Sequence, residues 1–289
     1  MDSVSKEMNI GPTDAERQNL QLDAGSLSRA VEAFEEDGYV VLEQVVDHGH
    51  LDLLKERMDE DSEKLLAAEK WGGAGRQKGH LQQGPPPYDP YLFEDILVNP
   101  FAIQISREML GEGFYCGFYN GNTNTPGSST QPLHGDGIHL WGEVQTTHPA
   151  TQLIVNIWPQ DASSENGATQ IWPRSHMDSR RVTEETEADR RSFAPPIQPT
   201  TKKGDLLIRD SRLWHRGVPN PSDEKRQMIA VVYNIVWLAR KRTLLFDKSA
   251  EAMFEAAGVD GNAEYAEAPF EYLFDMACRR IQPEPMRGV

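Results

Sequence analysis

The apolar residues in the first part of the chain recur at the spacing of a helix. One stripe predicts a helix over residues 26–37 that Gly38 ends, followed by a first strand over residues 39–42. A second stripe predicts a helix over residues 50–70, and residues 91–110 are also expected to be helical. The two stripes are formed by Leu27, Ala30, Val31 and Phe34, and by Leu51, Leu54, Met58, Leu65 and Leu66.

From Phe114 to Arg240 the pattern changes to short apolar, β-branched segments separated by Gly, Pro and Asn. This pattern predicts a core of roughly eight strands, with helices returning over residues 249–257 and 268–281. The fold class expected is mainly β with flanking α-helices, a double-stranded β-helix or jelly roll of the cupin-like kind. Residues 25–289 would form this single domain, and the polar residues 1–24 are expected to be a flexible segment.

The composition of the 289-residue chain limits the classes of partner that it is expected to bind. Its formal net charge of −16 repels nucleic acid and anionic membrane surfaces, so neither is expected as a partner. The two cysteines, Cys116 and Cys278, are too few for a disulfide framework, which favours a reducing compartment and a cytoplasmic location. The longest apolar stretch, over residues 228–239, is too short to span a bilayer as a helix. Oligomeric state stays open, with a homo-oligomer as one option.

The chemistry is concentrated in His134, Asp136 and a distant His215. In a strand, residues i and i+2 point the same way, so His134 and Asp136 could bind one ion while Gly135 turns aside. His215 lies 215 − 134 = 81 positions later and must come from another strand. Two imidazoles and one carboxylate on one face of a metal form the facial triad of non-heme Fe(II) oxygenases. The alternatives are a hydrogen-bonded pair at a strand end for the first two residues and a packed core histidine for His215.

Arg226 follows His215 by 226 − 215 = 11 positions. Turn-forming residues over 218–223 and a β-branched run from Gln227 predict a hairpin that brings Arg226 beside His215. A planar guanidinium there can bind a carboxylate through two parallel hydrogen bonds. The alternative is a surface arginine that pairs with Asp223 or Glu224.

Five stretches, in this order along residues 26–240, resemble the phytanoyl-CoA dioxygenase-like branch of the Fe(II)/2-oxoglutarate-dependent oxygenases. One departure from the family pattern is Arg174, where the family often has glycine before Ser-His. The matching stretches are FEEDGYVVL (34–42), QPLHGD (131–136), ENGATQIWPRSH (165–176), KGDLL (203–207) and the segment 214–226 with its Trp-His start and final arginine.

The resemblance implies two cofactors, Fe(II) and the cosubstrate 2-oxoglutarate, together with O2 and a small-molecule substrate. It implies oxidation of an aliphatic C–H bond, most often to an alcohol, while 2-oxoglutarate becomes succinate and CO2. A secondary metabolite and an acyl-CoA are both open as substrates. Asp136 favours oxygenation over halogenation, because related halogenases lack this carboxylate. The implied site residues are His134, Asp136 and His215 for iron, and Arg226, Thr169 and Gln131 for 2-oxoglutarate.

Two other functions remain open from the sequence. One is a cupin-type isomerase or lyase that does not use 2-oxoglutarate, and the other is a non-catalytic binding module. Thr169 could be an ordinary strand residue, and Gln131 could satisfy a backbone group. Substrate pockets are mostly apolar and aromatic, although plain core packing is the alternative for each lining candidate. These candidates are His80, Gln82, Tyr119, Trp141 and Trp237.

Overall fold

The computed structural model describes residues 9–69, 79–141, 147–240 and 242–274. Strands and helices alternate before residue 115, and strands dominate after it. The strands are β1 (Asn9–Ile10), β2 (Tyr39–Leu42), β3 (His80–Gln82), β4 (Tyr115–Asn124), β5 (Gln152–Ile157), β6 (Gln170–Ile171), β7 (Leu206–Asp210), β8 (His215–Arg216), β9 (Arg226–Asn234), β10 (Leu244–Asp247) and β11 (Ala263–Ala266). The helices are α1 (Asp14–Asn19), α2 (Ala24–Asp37), α3 (His48–Ala67), α4 (Glu94–Leu97), α5 (Pro100–Leu110), α6 (Glu184–Phe193) and α7 (Ser249–Ala257).

Seven strands form one large sheet in the order β1-β2-β7-β5-β9-β4-β3. Apart from the parallel β1–β2 pair, its neighbours are antiparallel. A second, small sheet pairs β6 with β8, and isolated bridges extend it from His215 to His134 and from Ile171 to Ile197. Residues of both sheets line one internal cavity, so the sheets face each other. The predicted double-stranded β-helix is confirmed.

The two faces of the large sheet have different chemistry. Leu153, Val155 and Ile157 of β5 belong to the main apolar core, which also contains Phe34 of α2 and Leu51 of α3. Because side chains alternate along a strand, the residues between them point to the opposite face, toward the small sheet. The helices therefore cover one face, and the other face is left to form the interior of the β-helix.

The helices predicted before residue 114 are present, with ends set by caps. The side chain of Asp23 accepts a hydrogen bond from the backbone N–H of Ser26, so α2 begins earlier than Ser26. Gly38 ends α2 in the left-handed conformation, as expected. The predicted helix over residues 91–110 is instead divided into α4 and α5. Asn99 caps the second helix and Pro100 occupies its first position, where the missing N–H costs nothing.

Three expectations need correction. Residues 9–24 are not a flexible segment, because β1 pairs with β2 and α1 starts with a capping box at Thr13. Among the described residues between Phe114 and Arg240 there are six strands, β4 to β9, and not about eight, since some expected strands are reduced to isolated bridges such as that of His134. The hairpin expected between His215 and Arg226 is absent, because β8 and β9 belong to different sheets.

At the C-terminal end, α7 matches the helix predicted over residues 249–257. The further helix predicted over residues 268–281 is wrong for residues 268–272, which are not helical. Residues 275–281 lie outside the described residues, as do residues 1–8 of the N-terminal segment. Across the described part of the chain, the helices lack the combination of length and apolar character needed to cross a lipid bilayer.

Acid is expected to destabilise the metal-free protein before its carboxylates titrate. Burial lowers the pKa of His80, His139, His148 and His176, whereas an unfolded histidine titrates near 6.5. As pH falls below about 6.5, the unfolded state therefore binds protons first and the free energy of unfolding decreases. Denaturant titrations with a chelator, between about pH 7 and pH 5, measure this loss.

The variant His176→Gln removes one of these titrating groups. Its amide can still donate to the carbonyl oxygen of Glu35, as Nε2 of His176 does at 3.1 Å. We expect a shallower fall in stability than for the unchanged protein. Stability that is constant or rises on acidification would contradict the prediction.

Candidate metal centre

Backbone pairing brings the two histidines together. The N–H of His134 donates to the carbonyl oxygen of His215 at 3.1 Å, and the N–H of His215 donates back at 2.8 Å. The ring centroids lie 4.4 Å apart. His134 belongs to a single bridge and not to the regular strand that the sequence predicted, because residues 131–136 otherwise lack ladder pairing.

Asp136 completes the group. One carboxylate oxygen, Oδ1, lies 3.7 Å from Nε2 of His134, and the other, Oδ2, lies 3.2 Å from Nε2 of His215. One ligand atom from each of the three residues falls within 4.8 Å of the others. The side chains of His134 and Asp136 are 41% and 40% exposed. The structure thus places three metal-ligand side chains at an accessible position.

The other nitrogen of each imidazole is held by the backbone. Nδ1 of His134 lies 2.8 Å from the carbonyl oxygen of Pro132, and Nδ1 of His215 lies 2.9 Å from that of Leu213. A carbonyl oxygen only accepts, so Nδ1 carries the proton in both rings and Nε2 presents its lone pair. This assigned tautomer and fixed orientation are what metal-binding histidines require.

Electrostatics and burial keep Asp136 and His215 deprotonated. Partial desolvation would raise the pKa of Asp136, but nearby His215 and Arg209 outweigh it and hold that pKa well below its usual range. Burial, followed by repulsion from Arg209, lowers the pKa of His215 to about 4. Metal binding requires unprotonated ligands. The residues therefore fit a divalent metal ion such as Fe(II) at neutral pH.

Arg209 was not identified from the sequence, yet it contacts the centre directly. Its Nη2 donates to Oδ2 of Asp136 at 2.7 Å, and its Nε donates to Oδ1 of Asn156 at 3.0 Å. Arg209 is only 4% exposed. A charged residue inside the apolar segment 206–210 was the available signal, because such a residue is rarely buried without a partner.

Arg226 is the second buried cation of the site. It is 1% exposed, whereas Asp223 and Glu224 are exposed, which speaks against the surface pair considered above. Nη2 donates to the carbonyl oxygen of Gly167 at 3.2 Å, but Nε and Nη1 have no hydrogen-bond partner among the described residues. Burial lowers the pKa of Arg226 to about 10, so the group is charged at neutral pH. A buried cation with unpaired donors fits an anionic ligand.

Gln131 and His80 lie beside Gly217, two residues beyond His215. Oε1 of Gln131 accepts from the N–H of Gly217 at 2.8 Å, two residues beyond His215. His80 is fully buried, with Nε2 2.6 Å from the carbonyl oxygen of Ser129. After burial itself, the charge of Arg226 is a further cause that lowers the pKa of His80. These contacts place Arg226 and the triad in one continuous region of the β-helix.

Gly217→Ala is expected to damage cosubstrate binding without removing a ligand. A Cβ at Gly217 would lie 2.5 Å from Oε1 of Gln131 and 2.6 Å from Cε1 of His80. Both side chains must then move, and we expect roughly a tenfold or greater loss of 2-oxoglutarate affinity, as outer-shell changes typically cause. Equilibrium titration with 2-oxoglutarate measures the effect. Gly25→Ala in α2, where a Cβ would lie 3.3 Å from the side-chain carboxylate of Asp23, is the control for a glycine change outside the site. An unchanged affinity in Gly217→Ala would contradict this account.

Thr169 lines a small cavity of about 10 Å³ between the two sheets, together with Asn156, Trp158 and Arg209. Its hydroxyl lies 3.9 Å from the sulfur of Met228. Three donors of the other lining residues, Nδ2 of Asn156, Nε1 of Trp158 and Nη1 of Arg209, have no partner among the described residues. Within the described part of the chain, the interior beside Asp136 thus contains donors that have no acceptor.

The candidate substrate residues are dispersed. His80 and Gln82 pair with Asn124 and Asn122, on the same face of the sheet as Arg226, which is the partner of Asn124 on β9. Two other candidates are exposed: Trp141, which packs edge-on against His148, and Trp237, just beyond the end of β9.

Tyr119 does not share this face. It pairs with Val231, an odd number of residues from Arg226 along β9, so its side chain points to the helix-covered side of the sheet. There it packs against Phe246 with 5.3 Å between ring centroids, inside the main apolar core. This placement corresponds to the core-packing alternative, and Tyr119 does not line the interior of the β-helix.

A comparison with protein-family models matches residues 34–228, more than half of the chain, to the phytanoyl-CoA dioxygenase family. The chain belongs to this family. The matched region contains all three triad residues and Arg226. Family membership and the triad confirm the predicted enzyme class, a non-heme iron, 2-oxoglutarate-dependent dioxygenase, and Fe(II) and 2-oxoglutarate are the cofactors of this class.

Individual relatives of this family member are distant. Dioxygenase af480 of Aspergillus fumigatus is 26% identical over 155 residues, covering 51% of this chain and 46% of af480. The match thus spans about half of that relative's length. Dioxygenase FUM3 of Gibberella moniliformis is 22% identical over 253 residues, covering 83% and 82% of the two chains.

Among solved structures, SnoK, a non-heme alpha ketoglutarate dependent carbocyclase from nogalamycin biosynthesis, superposes with a TM-score of 0.56. It is 21% identical, over 78% of this chain and 87% of SnoK. At 21% identity, this similarity shows that the two proteins share a fold.

Proposed function

We propose that this enzyme binds Fe(II) on His134, Asp136 and His215 and uses 2-oxoglutarate and O2 to oxidise an aliphatic C–H bond of a small molecule, most often to an alcohol. The observation that carries the proposal is the buried Arg226, whose Nε and Nη1 lack partners in the described structure. A dicarboxylate cosubstrate that chelates the metal at one end would present its second carboxylate to this guanidinium.

Each residue has a defined part in this proposal. Nε2 of each histidine and one oxygen of Asp136 would hold the iron, leaving the opposite face open. Arg226 would bind the distal carboxylate of 2-oxoglutarate, with the hydroxyl of Thr169 and the amide of Gln131 as further contacts. When bound, iron would supply the site at which O2, the oxidant, reacts: 2-oxoglutarate and the substrate C–H bond each give two electrons, one oxygen atom goes to succinate with release of CO2, and the other goes to the substrate carbon. The buried interior around Arg226 keeps the charged contacts out of water, which strengthens them.

The relatives support this class of reaction but leave its outcome open. Af480 and FUM3 are described as dioxygenases, and SnoK as an alpha ketoglutarate dependent carbocyclase. One iron site can support hydroxylation, desaturation or ring formation, because the substrate pocket decides among them. Exposed Ile138, Trp141 and Trp237 suit a largely apolar substrate, and the net charge of −16 disfavours nucleic acid. The low cysteine content supports a cytoplasmic location.

The two other functions have less support. A cupin-type isomerase or lyase would not need a buried, partly unpaired cation in the same interior as the two histidines. A binding module without catalysis would not need two imidazoles with the same tautomer beside a carboxylate. Arg226 and the imidazole geometry thus favour the oxygenase.

An anaerobic titration of Fe(II)-loaded protein with 2-oxoglutarate tests the proposal. Chelation of iron by the keto acid produces a visible metal-to-ligand charge-transfer band, and we expect it to appear and to saturate. Succinate, a dicarboxylate without a keto group, is the matched control and should give no such band. Bound iron without a band would contradict the use of 2-oxoglutarate and would favour the isomerase or lyase.

A further inference from the structure

We propose that Arg209 is a positioning residue that occupies one oxygen of Asp136 and thereby reserves the other for the metal. The inference rests on the proposed metal binding by the triad, and it concerns a residue outside it. Nη2 of Arg209 donates to Oδ2 of Asp136 at 2.7 Å. Oδ2 also lies 3.2 Å from Nε2 of His215. The second oxygen, Oδ1, lies 3.7 Å from Nε2 of His134 and takes no part in the pair with Arg209.

Arg209 is held within a paired strand, whereas Asp136 lies in a segment outside the regular strands. Arg209 lies inside β7 and pairs with Tyr39 on one side and with Ile154 on the other. Its Nε is fixed by Oδ1 of Asn156 at 3.0 Å, on the neighbouring strand β5. Asp136 lies outside the regular strands, with its side chain 40% exposed. The orientation of this carboxylate therefore depends on the guanidinium.

The division of the two oxygens has a consequence for coordination. A carboxylate whose Oδ2 accepts a charged hydrogen bond coordinates a metal most readily through Oδ1 alone. One-oxygen binding leaves three of six octahedral positions open, which a chelating cosubstrate and O2 together require. If Asp136 rotated and bound through both oxygens, one of those positions would be lost.

Charge and orientation predict opposite effects, which makes the proposal testable. A cation this close to the site repels a divalent metal ion, so removing the charge of Arg209 would by itself tighten metal binding. Removing the support of Asp136 would weaken it, as loss of outer-shell partners does. The sign of the change in metal affinity therefore distinguishes a positioning role from a purely electrostatic one.

The experiment is a titration of the metal-free protein with Co(II), followed by visible absorption, for Arg209→Gln and Arg209→Lys. We expect about a tenfold or greater loss of affinity in Arg209→Gln, with an altered cobalt spectrum. Lysine keeps the charge but not the planar guanidinium group. The cobalt affinity of Arg209→Lys should therefore be little better than that of Arg209→Gln. Asn156→Ala, which removes the anchor of Nε and leaves the charge, should shift the affinity in the same direction by a smaller factor.

Arg212→Gln is the matched control. Arg212 is also buried, and it forms a 2.6 Å ion pair with buried Asp210 without contacting a triad side chain. We expect lower thermal stability in this variant but cobalt affinity close to that of the unchanged protein. A loss of affinity equal to that of Arg209→Gln would show a general structural effect and overturn the proposal.

Unchanged or tighter cobalt binding in Arg209→Gln would also overturn it. If Arg209→Gln does not fold, Asn156→Ala takes its place, and unchanged or tighter cobalt binding in Asn156→Ala would overturn the proposal. Failure of the unchanged protein to bind Co(II) or Fe(II) would contradict the proposed function itself, and is thus distinguishable from failure of the role of Arg209.

Discussion

Replacing Arg226 with glutamine is expected to raise the 2-oxoglutarate concentration needed for half-saturation by about thirtyfold or more, while Fe(II) stays bound. The guanidinium is buried, charged at neutral pH and has two unpaired donor atoms in the described structure. Removing one partner of a buried, hydrogen-bonded charge pair costs about 2–5 kcal/mol, and each 1.4 kcal/mol is a factor of about ten. The anaerobic charge-transfer titration measures the midpoint.

Two further variants make this result specific. Arg216→Gln changes an arginine next to His215 that is paired with Gln170 and Glu187, and it should leave the midpoint near that of the unchanged protein. Arg226→Lys keeps a charge but not the fork, so an intermediate midpoint is expected. An Arg226→Gln midpoint within about threefold of the original would contradict the assigned role, because so small a factor corresponds to well under 1 kcal/mol.

Arg226 also illustrates how function can oppose stability. Without an anionic partner, a buried guanidinium with unpaired donors destabilises the folded state. We therefore expect the cosubstrate-free Arg226→Met variant to be at least as stable as the unchanged protein, even though it binds 2-oxoglutarate poorly. A purely structural arginine would give the opposite result in a thermal melt, because its removal would leave the fold weaker.

The residue spacings of the triad carried enough information to predict which side chains meet. Two ligands at i and i+2 face one direction under almost any extended backbone, so the proximity of His134 and Asp136 did not depend on the predicted strand. The sequence also predicted that His215 and Arg226 lie in one region, but it did so by assuming a hairpin between them. They lie on two strands of opposite sheets, and the closed β-helix, not a hairpin, brings both residues to its interior.

Contacts that depend on register could not be predicted from the sequence. Tyr119 and Asn120 are neighbours on β4, yet only one of them faces the interior, because strand alternation assigns them to opposite faces. Arg209 contacts Asp136 across 209 − 136 = 73 residues. A buried charged residue in a predicted strand shows that a partner must exist, but its identity follows only from the fold.

Loss of Asp136 is expected to have the largest effect of any single change at the centre. In Asp136→Ala the site loses its only anionic ligand, while Arg209, which donates to Oδ2 at 2.7 Å, stays buried and close to the metal position. An uncompensated cation then faces an incoming dication.

We expect metal affinity to fall by at least about a hundredfold, beyond the 10- to 100-fold typical of outer-shell changes, and iron-dependent succinate formation to be lost. Cobalt titration and succinate release measure the two effects, and Asp136→Asn separates charge from shape by keeping an oxygen ligand without its charge. Asp223→Ala, at an exposed acidic residue, should change neither quantity. Retained iron-dependent succinate formation in Asp136→Ala would show that two histidines suffice to hold a working metal, and that the carboxylate and its partner Arg209 serve another purpose.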